Sequence, residues 1–135
     1  MDFAVNYLAV LVATVAAAIV SAAWYSFIFA GAVNALRAGD ATIAGRTPGP
    51  PLILLSVIAN LVAAFILAVF LETLFGTPTI GNGLLVAALA WLGFSATTMT
   101  VIQTFGYRAP GFLLVDGLQW LLVLLVLGAI IGAFG

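Results

Sequence analysis

Asp116 has the clearest potential for chemistry in this sequence, because it is a carboxylate inside the long apolar stretch 111–134. A charged side chain at the centre of a membrane helix costs about 2.5–3.5 kcal/mol and usually faces a partner or a water-filled cavity. One interpretation is structural: Asp116 reaches the aqueous interface, caps backbone N–H groups at the start of its helix, or pairs with Arg108. The other interpretation is functional and depends on its neighbours.

The functional interpretation treats Asp116 as part of a polar pocket, with hydrogen bonds from Gln119, Gln103 or Tyr25. Counting along the apolar stretches puts a set of polar side chains at a similar depth: Ser21, Tyr25, Ser26, Asn60, Thr97, Thr100, Gln103, Asp116 and Gln119. The candidate cluster consists of Asp116, Gln119, Asn60, Tyr25 and Gln103. Asn60 is expected to link helices by hydrogen bonding, worth about 0.6–2 kcal/mol, or alternatively to contact a ligand.

Catalytic chemistry has little support in the composition. The chain has no histidine and no cysteine, which removes the commonest metal ligands and the usual proton shuttle at neutral pH. The sequence contains no Ser/His/Asp or Cys/His set, no glycine-rich phosphate loop and no carboxylate pair at a common depth. We therefore predict that the protein is not an enzyme and binds no metal or cofactor.

The elements that must position these residues are membrane-spanning helices. Hydrophobic residues make up 66% of the chain and charged residues 5%, and about 20 apolar residues suffice to cross a hydrocarbon core about 30 Å thick. The sequence predicts an all-α, four-helix transmembrane bundle in one domain, residues 1–135. The spans are 6–29, 52–75, 80–103 and 111–134, with a linker over 31–51 that holds a short surface helix over 32–38.

Local signals mark the helix ends. Proline suits a first helical turn, because its fixed φ fits and no N–H is needed there. Pro51, Pro78 and Pro110 lie at or just before predicted helix starts. Thr77 is the expected N-cap for a helix that begins at Pro78, and the short Thr77–Pro78–Thr79 connection makes the second and third spans a tight hairpin.

The arginines predict the orientation. Arg37, Arg46 and Arg108 fall on one side of the four spans, and cytoplasmic loops carry an excess of Lys and Arg. We expect the linker to face the cytoplasm and both termini to lie on the non-cytoplasmic side. Three arginines form no basic patch, so nucleic acid is not an expected partner.

Small residues indicate where helices pack. Helices in lipid associate through close backbone approach, and small side chains recur at Ala13, Ala17 and Ser21 in the first span and at Gly128 and Gly132 in the fourth. Packing within one chain is one interpretation. Self-association is the other, and it predicts a homo-oligomer or a subunit of a larger membrane complex surrounded by lipid.

The motifs also resemble a known family. Asn6–Val10 leading to Ala23-Trp24-Tyr25-Ser26, the run Ala90-Trp91-Leu92-Gly93-Phe94, and an acidic residue early in the fourth span before Gly128-x-x-x-Gly132 are similar to the bacterial membrane family called domain of unknown function 1761. The resemblance covers essentially the whole chain. It implies a four-span integral membrane protein and no known activity.

Two functional hypotheses remain from the sequence. The first is a non-catalytic membrane subunit that associates with itself or with a larger assembly in the bacterial cytoplasmic membrane. The alternative is a small oligomeric transporter or channel that uses the polar cluster around Asp116. A path through one chain would have to continue across an apolar outer half, where the amide and carboxylate side chains of the spans, Asn6, Glu72 and Asn82, lie close to the outer interface. A pore would therefore form between subunits.

Overall fold

The computed structural model describes residues 5–28, 30–39, 49–106 and 110–134. Over these ranges the chain is helical and contains no strand. Six α-helices follow one another: α1 (Tyr7–Ala23), α2 (Ala30–Ala38), α3 (Pro50–Phe75), α4 (Ile80–Ala90), α5 (Thr97–Phe105) and α6 (Pro110–Phe134). A π-helical segment, Trp24–Ile28, follows α1, and a second one, Trp91–Ala96, joins α4 to α5.

The described helices include four that are long and apolar enough to cross a membrane. They cover Tyr7–Ser26, Pro50–Phe75, Ile80–Phe105 and Pro110–Phe134. The prediction of an all-α fold with four membrane-spanning helices is therefore confirmed, and the predicted spans overlap these helices closely. The short helix expected over 32–38 is present as α2. The side of the membrane on which the termini lie stays a prediction.

One prediction about the hairpin between α3 and α4 is wrong, because Thr77 is not the N-cap of the second helix. The N-cap of α4 is Thr79, whose hydroxyl accepts a hydrogen bond from the Asn82 N–H at 3.1 Å. Thr77 instead belongs to the turn, where its N–H donates to the Phe75 carbonyl at 2.7 Å after Gly76 adopts a φ of 69°. Thr79 is extended, so the helix begins after it. The predicted N-cap, Thr77, is therefore wrong by two residues, whereas the predicted start of the span at residue 80 matches the start of α4.

Helix α6 is the centre of the bundle. It packs against α1, α3, α4 and α5, and its first turns also contact α2. The largest fully buried side chains are Leu71 from α3 and Val123 and Leu127 from α6. Ala13 and Ala17 of α1 are completely buried in the same core. These predicted packing residues thus face the interior of their own chain.

Helices α4 and α6 approach each other closely through glycine. A Cβ on Gly83 would overlap the backbone carbonyl of Gly128, and a Cβ on Gly128 would overlap the carbonyl of Gly83. A Cβ on Gly132 would overlap the Thr79 carbonyl at the start of α4. Gly128 and Gly132 are therefore used for packing within the chain. Gly83, the partner of Gly128, was not singled out from the sequence.

Two ends of the bundle are defined by these contacts. The hairpin end contains Thr79 and Gly132 together with Asn6, whose side-chain amide donates to the Phe134 carbonyl at 3.5 Å. The opposite end, here called the linker end, contains the contact between Leu36 of α2 and Gly111 of α6. Leucine, isoleucine, valine and phenylalanine side chains are exposed along α1, α3 and α4 between the two ends. Such a surface suits contact with lipid.

Candidate functional site

Asp116 lies near the linker end and is bound by side chains from two other elements. Tyr25 donates its hydroxyl to Asp116 Oδ1 at 2.5 Å, and Gln103 donates Nε2 to Asp116 Oδ2 at 3.3 Å. Tyr25 belongs to the first π-helical segment and Gln103 to α5. The carboxylate is half-buried. It therefore links three helical elements through both of its oxygens.

Two tryptophans bind the backbone on either side of this carboxylate. Trp24 donates its indole N–H to the Val115 carbonyl at 3.2 Å, and Trp91 donates to the Gly117 carbonyl at 2.8 Å. A helix carbonyl has two lone pairs, so it can accept a side-chain donor in addition to its helical N–H. The indoles hold α6 against both neighbouring spans at the level of Asp116.

Each of these tryptophans is the first residue of a π-helical segment. A π-helical turn bonds i to i+5; such turns are rare and are frequently found at functional sites. The additional residue in the turn changes the rotation of the side chains that follow it. The Trp-Tyr-Ser and Trp-Leu-Gly-Phe motifs noted in the sequence coincide with these segments. The residue types in these motifs did not predict π-helical geometry, because no local sequence signal distinguishes it from α-helix.

Gln103 has an acceptor that the surrounding residues do not use. Its side chain is 8% exposed, and Oε1 has no hydrogen-bond partner among the described residues while Nε2 binds Asp116. A buried amide oxygen without a donor costs free energy, typically about 1–3 kcal/mol. The unpaired oxygen is on the same planar amide that contacts the carboxylate. It therefore belongs to the Asp116 site.

A second polar pair lies deeper along the same helix. Gln119 donates Nε2 to the Ser21 hydroxyl at 2.7 Å, which links α6 to α1. Gln119 was one of three hydrogen-bond partners considered for Asp116, and the structure pairs it with Ser21 instead. Ser21 was predicted to be a small packing residue and was also placed among the polar residues at this depth. Its hydroxyl gives it a polar role as well.

The remaining polar residues at this depth are not part of the Asp116 site. Thr97 and Thr100 are exposed and donate their hydroxyls to carbonyls of their own turn, those of Gly93 at 2.9 Å and Ala96 at 2.6 Å. Ser26 is exposed. Within helices, threonine and serine hydroxyls commonly donate a hydrogen bond to a backbone carbonyl of the preceding turn. A shared depth in the bundle thus did not guarantee a shared location.

Asn60 is buried in α3 apart from the Asp116 site. It is 2% exposed, and its Nδ2 has no hydrogen-bond partner among the described residues. No hydrogen bond within the described ranges joins it to Asp116. The expected link between helices is therefore not made by this amide group. Arg108, the other partner considered for Asp116, lies outside the described residues.

The site is rich in oxygen acceptors and carries the charge of one carboxylate. Tyr25 and Gln103 donate one hydrogen bond to each carboxylate oxygen, and an ionised carboxylate has about four acceptor positions. The described residues contain no group of three or more His, Cys, Asp or Glu side chains that could hold a metal ion. The arrangement can bind a hydrogen-bond donor or a single positive charge.

The family described as "protein of unknown function (DUF1761)" matches residues 8–132 of the chain. The chain belongs to this family. The match includes both tryptophan motifs and Asp116, and it confirms the family resemblance seen in the sequence. No curated protein and no solved structure shows a significant match to the chain. The comparison thus identifies the family of this chain, and the description of that family assigns it no function.

Proposed function

We propose that this DUF1761 protein is a non-catalytic subunit of a membrane assembly, associating with further copies of itself or with a larger complex. The observation that carries the proposal is that the chain uses its polar and small residues to hold its own helices together. The outer surface of the bundle would then be the part of the protein that contacts other subunits. Neither an enzymatic reaction nor a nucleic-acid partner is part of this proposal.

The polar contacts support this role because they connect helices. Tyr25 and Gln103 join Asp116 from two elements, and Gln119 joins Ser21 across α1 and α6. Hydrogen bonds between membrane helices contribute about 0.6 kcal/mol on average and up to about 1.7 kcal/mol. Several such bonds in one region make a rigid unit. A rigid unit is suited to presenting fixed surfaces to neighbouring subunits.

The hairpin half of the bundle supports the same role because its interior is apolar and closely packed. The glycine contact between Gly83 and Gly128 brings two backbones together there. The buried Thr14 donates its hydroxyl to the Val10 carbonyl of its own helix at 2.7 Å. The fully buried Leu127 fills the adjacent core. Within the described part of this half, Thr14 is the only buried polar side chain, so the core offers a hydrophilic solute little to bind.

A small oligomeric transporter or channel is the second candidate, and a specific observation favours it. Asp116 lies inside a span, and the oxygen of Gln103 beside it lacks a donor. Ionisable residues within spans often mark ion or proton pathways. Since the hairpin half of one chain is closed, a pathway would run between subunits.

The proposal assigns the protein to the bacterial cytoplasmic membrane. The distribution of Arg37, Arg46 and Arg108 supports an orientation with the linker in the cytoplasm and both termini on the opposite side. Single-cysteine variants at Gly49, the N-cap of α3, and at Thr77, in the turn between α3 and α4, lie at opposite ends of the second span and test this orientation in intact cells. A membrane-impermeant maleimide should label the Thr77 variant and spare the Gly49 variant.

The native mass of the protein, extracted into lipid nanodiscs from its own membrane, tests the subunit proposal. We expect a fixed oligomer or a stoichiometric complex with another membrane protein, and we expect Asp116→Asn to retain the same mass. A monomer that moves ions after reconstitution into liposomes would overturn the proposal. Ion flux by an oligomer that is lost in Asp116→Asn would favour the transporter instead.

A further inference from the structure

We infer that Asp116 and the free amide oxygen of Gln103 form a binding site for one small monovalent cation within the membrane domain. The inference goes beyond the proposed subunit role and does not depend on it. It rests on the geometry around one carboxylate and on the buried acceptor next to it. The site lies near the linker end, between α5, α6 and the first π-helical segment.

Hydrogen-bond acceptors outnumber donors around Asp116. The carboxylate of Asp116 has two oxygens, each with one protein donor, and the oxygen of Gln103 has none. Since Gln103 is more than nine-tenths buried, its oxygen has little access to bulk water. A positively charged ligand in contact with both groups would satisfy the amide oxygen and compensate the carboxylate in the same place.

The chemistry of the site indicates the charge and size of its ligand. One carboxylate with neutral amide and phenol groups balances one positive charge, whereas divalent sites usually combine several carboxylates. Oxygen ligands from carboxylates and carbonyls favour hard cations. The close contacts of Tyr25 and Gln103 with the carboxylate favour a compact ion. Sodium and potassium fit this description, and an ion with bulky alkyl groups does not.

Access to Asp116 depends on its exposure and on its depth in the bundle. Asp116 and Tyr25 are half-buried, and Ser26, the next residue along the chain, is exposed. The carboxylate is six residues from the start of α6 at Pro110, which is about 9 Å at 1.5 Å per residue. A cation can therefore reach the site from the linker end without crossing the closely packed hairpin half.

Thermal unfolding of the nanodisc-embedded protein in NaCl, KCl or choline chloride tests the inference at constant ionic strength. A ligand that binds only the folded state raises the unfolding temperature as its concentration exceeds its dissociation constant. We expect a saturable rise in NaCl or KCl relative to choline chloride. We expect no such rise in Asp116→Asn, which removes the charge, and a reduced rise in Gln103→Leu, which removes the free oxygen.

Glu72→Gln is the matched control, since it removes a half-buried carboxylate near the hairpin end, and it should keep the full cation effect. Equal unfolding temperatures in all three salts would overturn the inference, and so would a cation effect unchanged in Asp116→Asn. An intramolecular occupant, the Arg108 guanidinium, would give the first of these results. The oligomer mass is measured separately, so failure here leaves the subunit proposal intact.

Discussion

Trp24 and Trp91 donate to two backbone carbonyls of α6 that are separated by a single residue, Asp116. The two indoles come from different spans, and each begins a π-helical segment. The carboxylate is thus fixed by backbone contacts on both sides as well as by its own hydrogen bonds. This arrangement limits rotation of α6 at the level of Asp116. It makes the position of the carboxylate a property of three spans.

Replacing Trp91 by phenylalanine should destabilise the bundle through loss of the indole N–H. The bond to the Gly117 carbonyl measures 2.8 Å, and removal of one such bond typically costs about 1 kcal/mol. Unfolding in mixed detergent measures the loss. Trp120→Phe is the control, because the half-buried Trp120 makes no hydrogen bond with the described residues. Equal losses in the two variants would contradict a specific role for the Trp91 bond.

Substitutions of Asp116 should separate charge from hydrogen bonding. In Asp116→Asn, the new amide can accept from Tyr25 and donate to the Gln103 oxygen once the Gln103 amide rotates. We therefore expect a stability change below about 1 kcal/mol. Asp116→Leu removes both acceptors and should cost about 1–3 kcal/mol. Detergent unfolding of the two variants, side by side, checks the order, and a greater loss for asparagine would refute this view of the site.

Alanine at the glycine contact should loosen the α4–α6 interface. A Cβ on Gly83 or Gly128 would overlap backbone atoms that cannot move aside, and overpacking of this kind typically costs about 1–3 kcal/mol. Gly117→Ala is the control in the same helix, since nothing lies within 4 Å of its added Cβ. Helix propensity should make that variant neutral or slightly more stable, by up to about 1 kcal/mol. Thermal aggregation assays in detergent rank the three variants.

The Ser21–Gln119 pair should show energetic coupling. Ser21→Ala leaves the buried Gln119 amide without its acceptor, at a cost of about 1–3 kcal/mol. Gln119→Leu removes the amide itself and should cost less. The double variant should recover part of the Ser21→Ala loss, with a coupling energy of about 0.6–1.7 kcal/mol. A double-mutant cycle with additive effects would show that the 2.7 Å bond contributes little.

The positions of the helices along the chain were predictable because they follow from the order of residue types in the sequence. A sustained apolar run and a proline at its start are enough to locate α3 and α6. The cap of α4 was misplaced because either Thr77 or Thr79 has the right side chain. Only the backbone conformation of the turn, with Gly76 at positive φ, decides between them.

The composition of the candidate site was harder to predict, because depth along a helix follows from counting and rotation about its axis does not. Tyr25, Gln103 and Asn60 were assigned a similar depth to Asp116. The first two hydrogen-bond to it and Asn60 does not. Tyr25 also lies within the first π-helical segment, whose wider turn changes the direction of its side chain about the helix axis. Long-range packing sets these angles, so they cannot be read from a short sequence window.

The central position of α6 has a consequence for biosynthesis. Ribosomes deliver the spans in order, so α1, α3 and α4 enter the bilayer before the helix against which all three pack. The indoles of Trp24 and Trp91 leave the translocon without their carbonyl acceptors on α6, and Tyr25 arrives before Asp116. Until α6 is inserted, the packing of the earlier spans therefore lacks these contacts. The polar network closes only when α6 is inserted.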